Sequence, residues 1–395
     1  MMFEYFPTNY PWSMATVMAV NAGGVISEID EVLSNLRDIA GANDEKANQA
    51  WHDAWSKLGE RNKRLAEADA TLNFNVSSGE KLLRAACYFM TAERMCKSNS
   101  PLRLKTYKKM LDCFNLGVRS LRDPVTRVEI PFKDTHLPGL FYPAEEYSKN
   151  SNSPCIIHFD GLDVMKEFLF LIGVPQQYAR RGISTLLLDH PGVGEALRLK
   201  DLKLSPETEE PASAAVDYLE SREDVDPKKI GVAGISLGGY YAPRAAGFES
   251  RLSCVVAWGA INDYGKITKD RLEGSGTNLS VSHWEEHMRW VLGASSREEI
   301  MEITGKMSLN EALINIRCPI LVVHGENDRQ IPLRLAEKTI EGAINSPRAE
   351  LKVFRAEDGG VEHCQVDNCK LAIEYMSDWV AKIFNENKTN QIRAE

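Results

Sequence analysis

Gly234-Ile235-Ser236-Leu237-Gly238-Gly239 is the stretch from which this sequence is best read. The apolar run 230–233 before it reads as a buried strand, and Tyr240-Tyr241-Ala242-Pro243-Arg244-Ala245-Ala246 after it reads as the first turns of a helix. A strand, Gly-x-Ser-x-Gly, then a helix is the pattern of a nucleophile elbow. The turn is so tight that the serine backbone is strained, and glycines two residues to either side let strand and helix approach each other. The serine oxygen is then held at the end of the strand. The N–H of Leu237, at the helix start, points to where negative charge would develop on a reacting carbonyl. An ordinary strand-to-helix turn can carry the same letters; the elements on both flanks favour the reactive one.

The chain has 395 residues, enough for two domains or one large decorated one. Its net charge of -9 argues against a nucleic-acid surface, which is normally basic. The cysteines (87, 96, 113, 155, 254, 318, 364 and 369) are scattered, with no CxxC pair, so neither a zinc site nor a disulfide framework is implied. The stretch 12–25 is apolar but contains Asn21 and has no basic flank. It reads as a buried segment rather than a signal peptide. No stretch approaches the ~20 apolar residues of a membrane span. The expectation is a cytoplasmic protein without nucleic-acid or membrane partners, with a homodimer left open.

Residues 1–124 read as helical. Segment 26–40 has apolar residues at helical spacing, and Trp51, Trp55 and Leu58 form a stripe at i, i+4, i+7. A further helix is expected over 77–96, with Ser78 as its N-cap, and another over 106–120. These helices either only stabilise or form a cap that walls a substrate pocket, and the Trp51/Trp55 stripe needs a partner surface.

From Pro124 the pattern changes, and residues 125–395 read as a second domain. Strands are expected at 126–132, 137–142, 155–159, 185–189, 230–233, 254–258, 320–324 and 351–354, with helices at 167–181, 209–221 and 371–384. Short apolar strands alternating with helices mean a mostly parallel sheet covered on both faces. Residues 261–309 break the rhythm and are too long for an ordinary connection. They read as a lid inserted over the carboxyl ends of the strands, where open α/β sheets bind ligands.

A serine hydroxyl is a poor nucleophile until a base takes its proton, and the base needs an orienting carboxylate. Behind a nucleophile elbow the chain order is Ser, acid, His. Strand 320–324 runs into Gly325-Glu326-Asn327-Asp328, where Asp328 is the better acid candidate and Glu326 the weaker. His363, on the Gly-rich loop 357–363, is the only histidine downstream of Asp328. A second N–H for a developing oxyanion is expected from the turn Asp160-Gly161-Leu162-Asp163, with Leu162 as donor. His158, Asp189 and His190 read as residues that hold strand ends and loops. No metal cluster or phosphate-binding loop is present, so no cofactor is implied.

The elbow with its helix, Val256-Ala257-Trp258-Gly259-Ala260, Glu362-His363-Cys364 and the turn 160–167 together resemble one branch of the α/β-hydrolases. It is the branch of FrsA and 2,6-dihydroxypseudooxynicotine hydrolase, whose pattern is shared by fungal polyketide-shortening hydrolases of the yellowish-green type. The likeness covers most of residues 125–385 and, in layout, the helical N-terminal region. It implies an α/β-hydrolase fold with an N-terminal helical cap and a Ser236/Asp328/His363 triad, often cleaving a carbon–carbon bond beside a ketone. The insertion does not align, so no substrate contact carries over. Candidates for such contacts are Asp163, Tyr240, Trp258, Trp284 and Trp290, the last two alternatively being the insertion's own core. The leading expectation is a serine hydrolase acting on a C–C bond in an aromatic or polyketide-like ketone. A carboxylesterase would use the same triad on an ester, and a binding or regulatory protein could retain the fold without turnover.

Overall fold

Two units, each with its own set of elements, make up the computed structural model, which describes residues 2–42, 44–145, 152–274 and 278–392. The first is Met2–Pro124 together with Asn278–Trp290, and the second is Val125–Thr277 together with Val291–Glu395.

In the helical unit the apolar stretch near the N-terminus is the helix Tyr10–Asn21, started by Pro11 and by the Asn9 side chain, which accepts from the N–H of Trp12. It is apolar around most of its circumference and accordingly buried. Its two buried hydroxyls are satisfied locally: Ser13 donates to the Phe6 carbonyl and Thr16 to that of Trp12. The tryptophan stripe of helix Glu45–Thr71 finds its partner within this unit. Trp51 lies 4.9 Å from Trp12 and 5.4 Å from Trp55, which in turn is 5.8 Å from Tyr88 of helix Asn75–Glu93. That helix begins at Phe74, so Ser78 is a buried interior residue and not its N-cap. The expected helix over 26–40 stops as Ile26–Leu33 followed by a 3-10 turn at Ser34–Leu36, and Ser34 and Asn35 are residue types that favour turns over helix interiors.

The second unit is built on eight strands: β1 (Thr126–Phe132), β2 (Thr135–Tyr142), β3 (Ser153–Phe159), β4 (Ser184–Leu188), β5 (Val225–Ile235), β6 (Val255–Trp258), β7 (Ile320–Gly325) and β8 (Ala349–Phe354). Among the described residues they form one sheet in the order β1-β2-β4-β3-β5-β6-β7-β8. β1, β2 and β4 pair antiparallel and all later neighbours parallel. Every residue of β4, β6 and β7 is buried, as expected of continuous apolar runs with helices on both faces. β1, at the edge, alternates toward buried Ile130 and Phe132. The register sets Phe159 beside Gly234, Ile235 beside Trp258, and Trp258 beside Val323. The loops leaving β3, β5, β6 and β7 therefore start at one level, along the carboxyl edge of the sheet.

One expected helix is two. Over 167–181 the chain forms Lys166–Leu171 and Val174–Ala179, separated by Gly173 in the left-handed region at φ 90°. The helical periodicity continues through this break, which is why a pattern reading joins the pieces. The excursion 261–309, described except for 275–277, contains helices Tyr264–Leu272, Trp284–Leu292 and Arg297–Gly305. Its two ends meet at a bridge between Asp263 and Ser308.

Candidate active site

Ser236 sits between β5 and helix Gly238–Phe248 with φ 56°, a left-handed backbone that costs a non-glycine residue about 1–3 kcal/mol. The surroundings impose it. The Ser236 N–H donates to the Trp258 carbonyl at 2.8 Å, and its carbonyl accepts from Gly239 N–H at 2.7 Å. A side chain at position 234 would start 2.2 Å from the Gly238 carbonyl oxygen, so the first elbow glycine is required by close approach.

Behind the serine stand the two residues expected from chain order. His363 Nε2 is 2.9 Å from Ser236 Oγ, and His363 Nδ1 is 2.8 Å from Asp328 Oδ2. With Nδ1–H donating to the carboxylate, Nε2 is left to accept the serine proton. Asp328 is held from its other oxygen: Oδ1 accepts the N–H groups of Gln330 and Ile331 at 2.8 and 2.9 Å. Burial opposes charge on both partners, and each favours the charged form of the other. Asp328 is held below the usual carboxylate range by His363. His363 is pushed well above the ordinary histidine value by Asp328 and, next, by Cys364.

Glu326, the weaker acid candidate, is exposed and accepts from Ala356 N–H on the loop after β8. Glu326→Gln is expected to leave kcat/KM within about threefold of wild type in steady-state assays; a loss matching that of an Asp328 variant would reverse the choice of acid.

The turn after β3 lies against the serine. A Cβ on Gly161 would fall 3.0 Å from Ser236 Cβ and 3.2 Å from the Ile235 carbonyl. Leu162 follows on this turn, largely buried, and Leu237 caps the elbow helix. The two backbone N–H groups expected to meet an oxyanion thus belong to segments flanking Ser236.

The candidate substrate contacts divide. Asp163 is half-buried on the turn after β3. Tyr240 and Trp258 are fully buried with their polar atoms bonded inside the protein: Tyr240 Oη donates to the Pro206 carbonyl at 3.0 Å, and Trp258 Nε1 donates to Gln365 Oε1 at 2.6 Å. Both brace the elbow. Trp284 and Trp290 belong to the helical unit, where the Arg103 guanidinium lies 5.1 Å over the Trp290 ring. His158 is fully buried at the end of β3, its pKa lowered to about 4 by burial.

Four supporting residues escape a sequence reading. Gln365 and Cys364 are both left-handed, at φ 51° and 48°, so the loop doubles back and Gln365 reaches Trp258. Glu362 ties the acid loop to the histidine loop, accepting from Asn327 Nδ2 and Arg329 Nε at 2.9 Å each. His324 donates to the Ile331 carbonyl at 2.9 Å and stands 3.7 Å from Asp328 Oδ2. Adjacent acidic and amide residues around a Gly-rich loop were the only available signal, and solvated loops carry the same composition.

A mostly parallel sheet with helices on both faces and a strand–serine–helix elbow at its carboxyl edge defines the α/β-hydrolases, and this protein is one. Residues 203–387 match the prolyl oligopeptidase family. The chain is similar to the 2,6-dihydropseudooxynicotine hydrolase of Paenarthrobacter nicotinovorans, with 27% identity covering 83% of each chain. It is also 25% identical to a 20-hydroxy-prefusarin hydrolase of Gibberella moniliformis, over 85% of this chain and 88% of the other. The crystal structure of 2,6-dihydroxy-pseudo-oxynicotine hydrolase superimposes with a TM-score of 0.73 and 25% identity, covering 93% of this chain and 95% of that one. These likenesses support that branch of the α/β-hydrolases.

Proposed function

We propose that the protein is a serine hydrolase that breaks a carbon–carbon bond next to a ketone in an aromatic or polyketide-like small molecule, with Ser236 as nucleophile, His363 as base and then acid, and Asp328 as its orienting carboxylate. The observation that carries the hydrolytic part is the continuous path from Asp328 Oδ2 through His363 to Ser236 Oγ, with contacts of 2.8 and 2.9 Å. Ser236 Oγ adds to the ketone carbon as its proton passes to His363 Nε2. The oxygen that becomes negative is met by the N–H groups of Leu237 and Leu162. The adduct collapses with cleavage of the C–C bond, and the carbanion leaves with the proton from His363. Water, deprotonated by the same nitrogen, then releases the acyl group from the serine.

The preference for a C–C bond is supported by the branch resemblance and by relatives named for a dihydropseudooxynicotine and a prefusarin compound. An ester would use the same three side chains, expelling an alkoxide instead. Labelling of Ser236 by a fluorophosphonate is expected and would be absent from a binding protein on this fold. Steady-state kinetics on matched aryl esters and aryl 1,3-diketones test the bond. The diketones are expected to be turned over with the larger kcat/KM; an ester preferred over every diketone by about a hundredfold, some 2.7 kcal/mol in the barrier, would establish the esterase.

A further inference from the structure

The chemistry above does not use a group of buried charges on the turn after β3. The ammonium of Lys166, at the start of helix Lys166–Leu171, is fully buried and meets three carboxylates: Glu195 Oε1 at 2.6 Å, Asp189 Oδ2 at 2.7 Å and Glu167 Oε1 at 2.8 Å. Asp189, just beyond β4, also accepts the backbone N–H of Lys166 at 3.1 Å and that of Glu195 at 2.8 Å. Arg127 of β1 grips Glu195 with two contacts, at 2.5 and 2.6 Å. The approach is so close that a Cβ on Gly194, at φ 47°, would fall 2.0 Å from the Asp189 carboxylate. Asp160, the last residue before Gly161, is fully buried beside Asp189. Burial and then the Asp189 charge raise its pKa above the usual carboxylate range, and neither of its carboxylate oxygens has a hydrogen-bond partner among the described residues.

The turn that carries Leu162 is therefore fastened at its far end, through the backbone N–H and the ammonium of Lys166, to one carboxylate on the neighbouring strand's loop. On its other side the turn touches the elbow: the Asp160 carbonyl oxygen lies 2.8 Å from where a Cβ on Gly238 would be. A buried ion cluster is seldom a gain in stability over apolar packing, and what this one does is locate a turn.

We propose that Lys166, held by Asp189, is a positioning residue that keeps the Leu162 N–H at the distance from Ser236 needed for an oxyanion. The proposal rests on the serine-hydrolase reading above. Misplacing such a donor by about an ångström costs on the order of 100-fold in rate. The loss falls on kcat and leaves KM nearly unchanged.

The test uses the full chain titrated with a fluorophosphonate, so that rates are expressed per reactive serine and a misfolded fraction does not count. Lys166→Met is compared with the charge-balanced Lys166→Met/Glu167→Gln, which leaves Asp189 its two backbone donors and Glu195 its arginine. In both, kcat per titrated serine is expected to fall about 100-fold with KM within about threefold, and an aryl trifluoromethyl ketone, which binds as an oxyanion adduct, is expected to lose affinity by the same factor. Asp189→Ala, which removes the carboxylate that meets both the backbone N–H and the ammonium of Lys166, is expected to behave likewise, and Asp189→Asn, which keeps an acceptor there, to recover most of the rate. This pair decides the matter if the Lys166 variants do not fold. Wild-type kcat and inhibitor affinity per titrated serine in the double variant, or no difference between Asp189→Ala and Asp189→Asn, would overturn the proposal. A wild-type enzyme that takes up no probe would instead remove the serine-hydrolase reading beneath it.

Discussion

Ser236→Ala is expected to lower kcat/KM by roughly 10⁴–10⁶-fold while the protein remains folded. The serine side chain meets His363 through its hydroxyl, and its conformation is imposed by backbone contacts to Trp258 and Gly239 that alanine keeps. Alanine is no more strained than serine at φ 56°. Folding loses one hydrogen bond at about 1 kcal/mol, a shift of a few degrees at most in Tm. The proposed chemistry loses the atom that would bond to the substrate. Turnover by the purified variant above about 1% of wild type, with the Tm unchanged, would exclude Ser236 as nucleophile.

Asp328→Asn is expected to cost about 10⁴-fold, with a change in pH dependence that identifies the cause. The amide can still accept the backbone N–H groups of Gln330 and Ile331 through Oδ1, so the loop persists. Its NH₂ then faces His363 Nδ1, which must accept, and the ring proton moves to Nε2, where it blocks transfer from the serine. In the wild type the Asp328 charge raises the His363 pKa, so the neutral base forms only at higher pH. The acid limb of kcat/KM is therefore expected above the ordinary histidine value of about 6.5. Removing the charge lowers the His363 pKa and moves the limb of the residual activity to lower pH. A variant whose limb stays in place, or whose rate is near wild type, would show that Asp328 is not coupled to His363.

The sequence determined the parts whose causes are local. Gly234, Ser236 and Gly238 belong to one tight turn, and their spacing is the geometry of that turn. Apolar runs such as 320–323 name buried parallel strands because no polar alternation is needed when both faces are covered. Chain order then placed Asp328 and His363 at loops on the same edge. Tertiary structure decided what depends on residues far apart in the chain. The Trp51/Trp55 stripe is a helix face whose partner, the Trp12 and Tyr88 rings, no periodicity could name. Residues Asn278–Trp290 lie in the middle of an insertion, yet they group with the N-terminal helices because contact, not chain position, defines a unit. Lys166 reads as one more charged residue at a helix start. Only the fold brings Asp189, 23 positions away, and Glu195, 29 away, around its ammonium and makes an unremarkable lysine the anchor of the turn beside the serine.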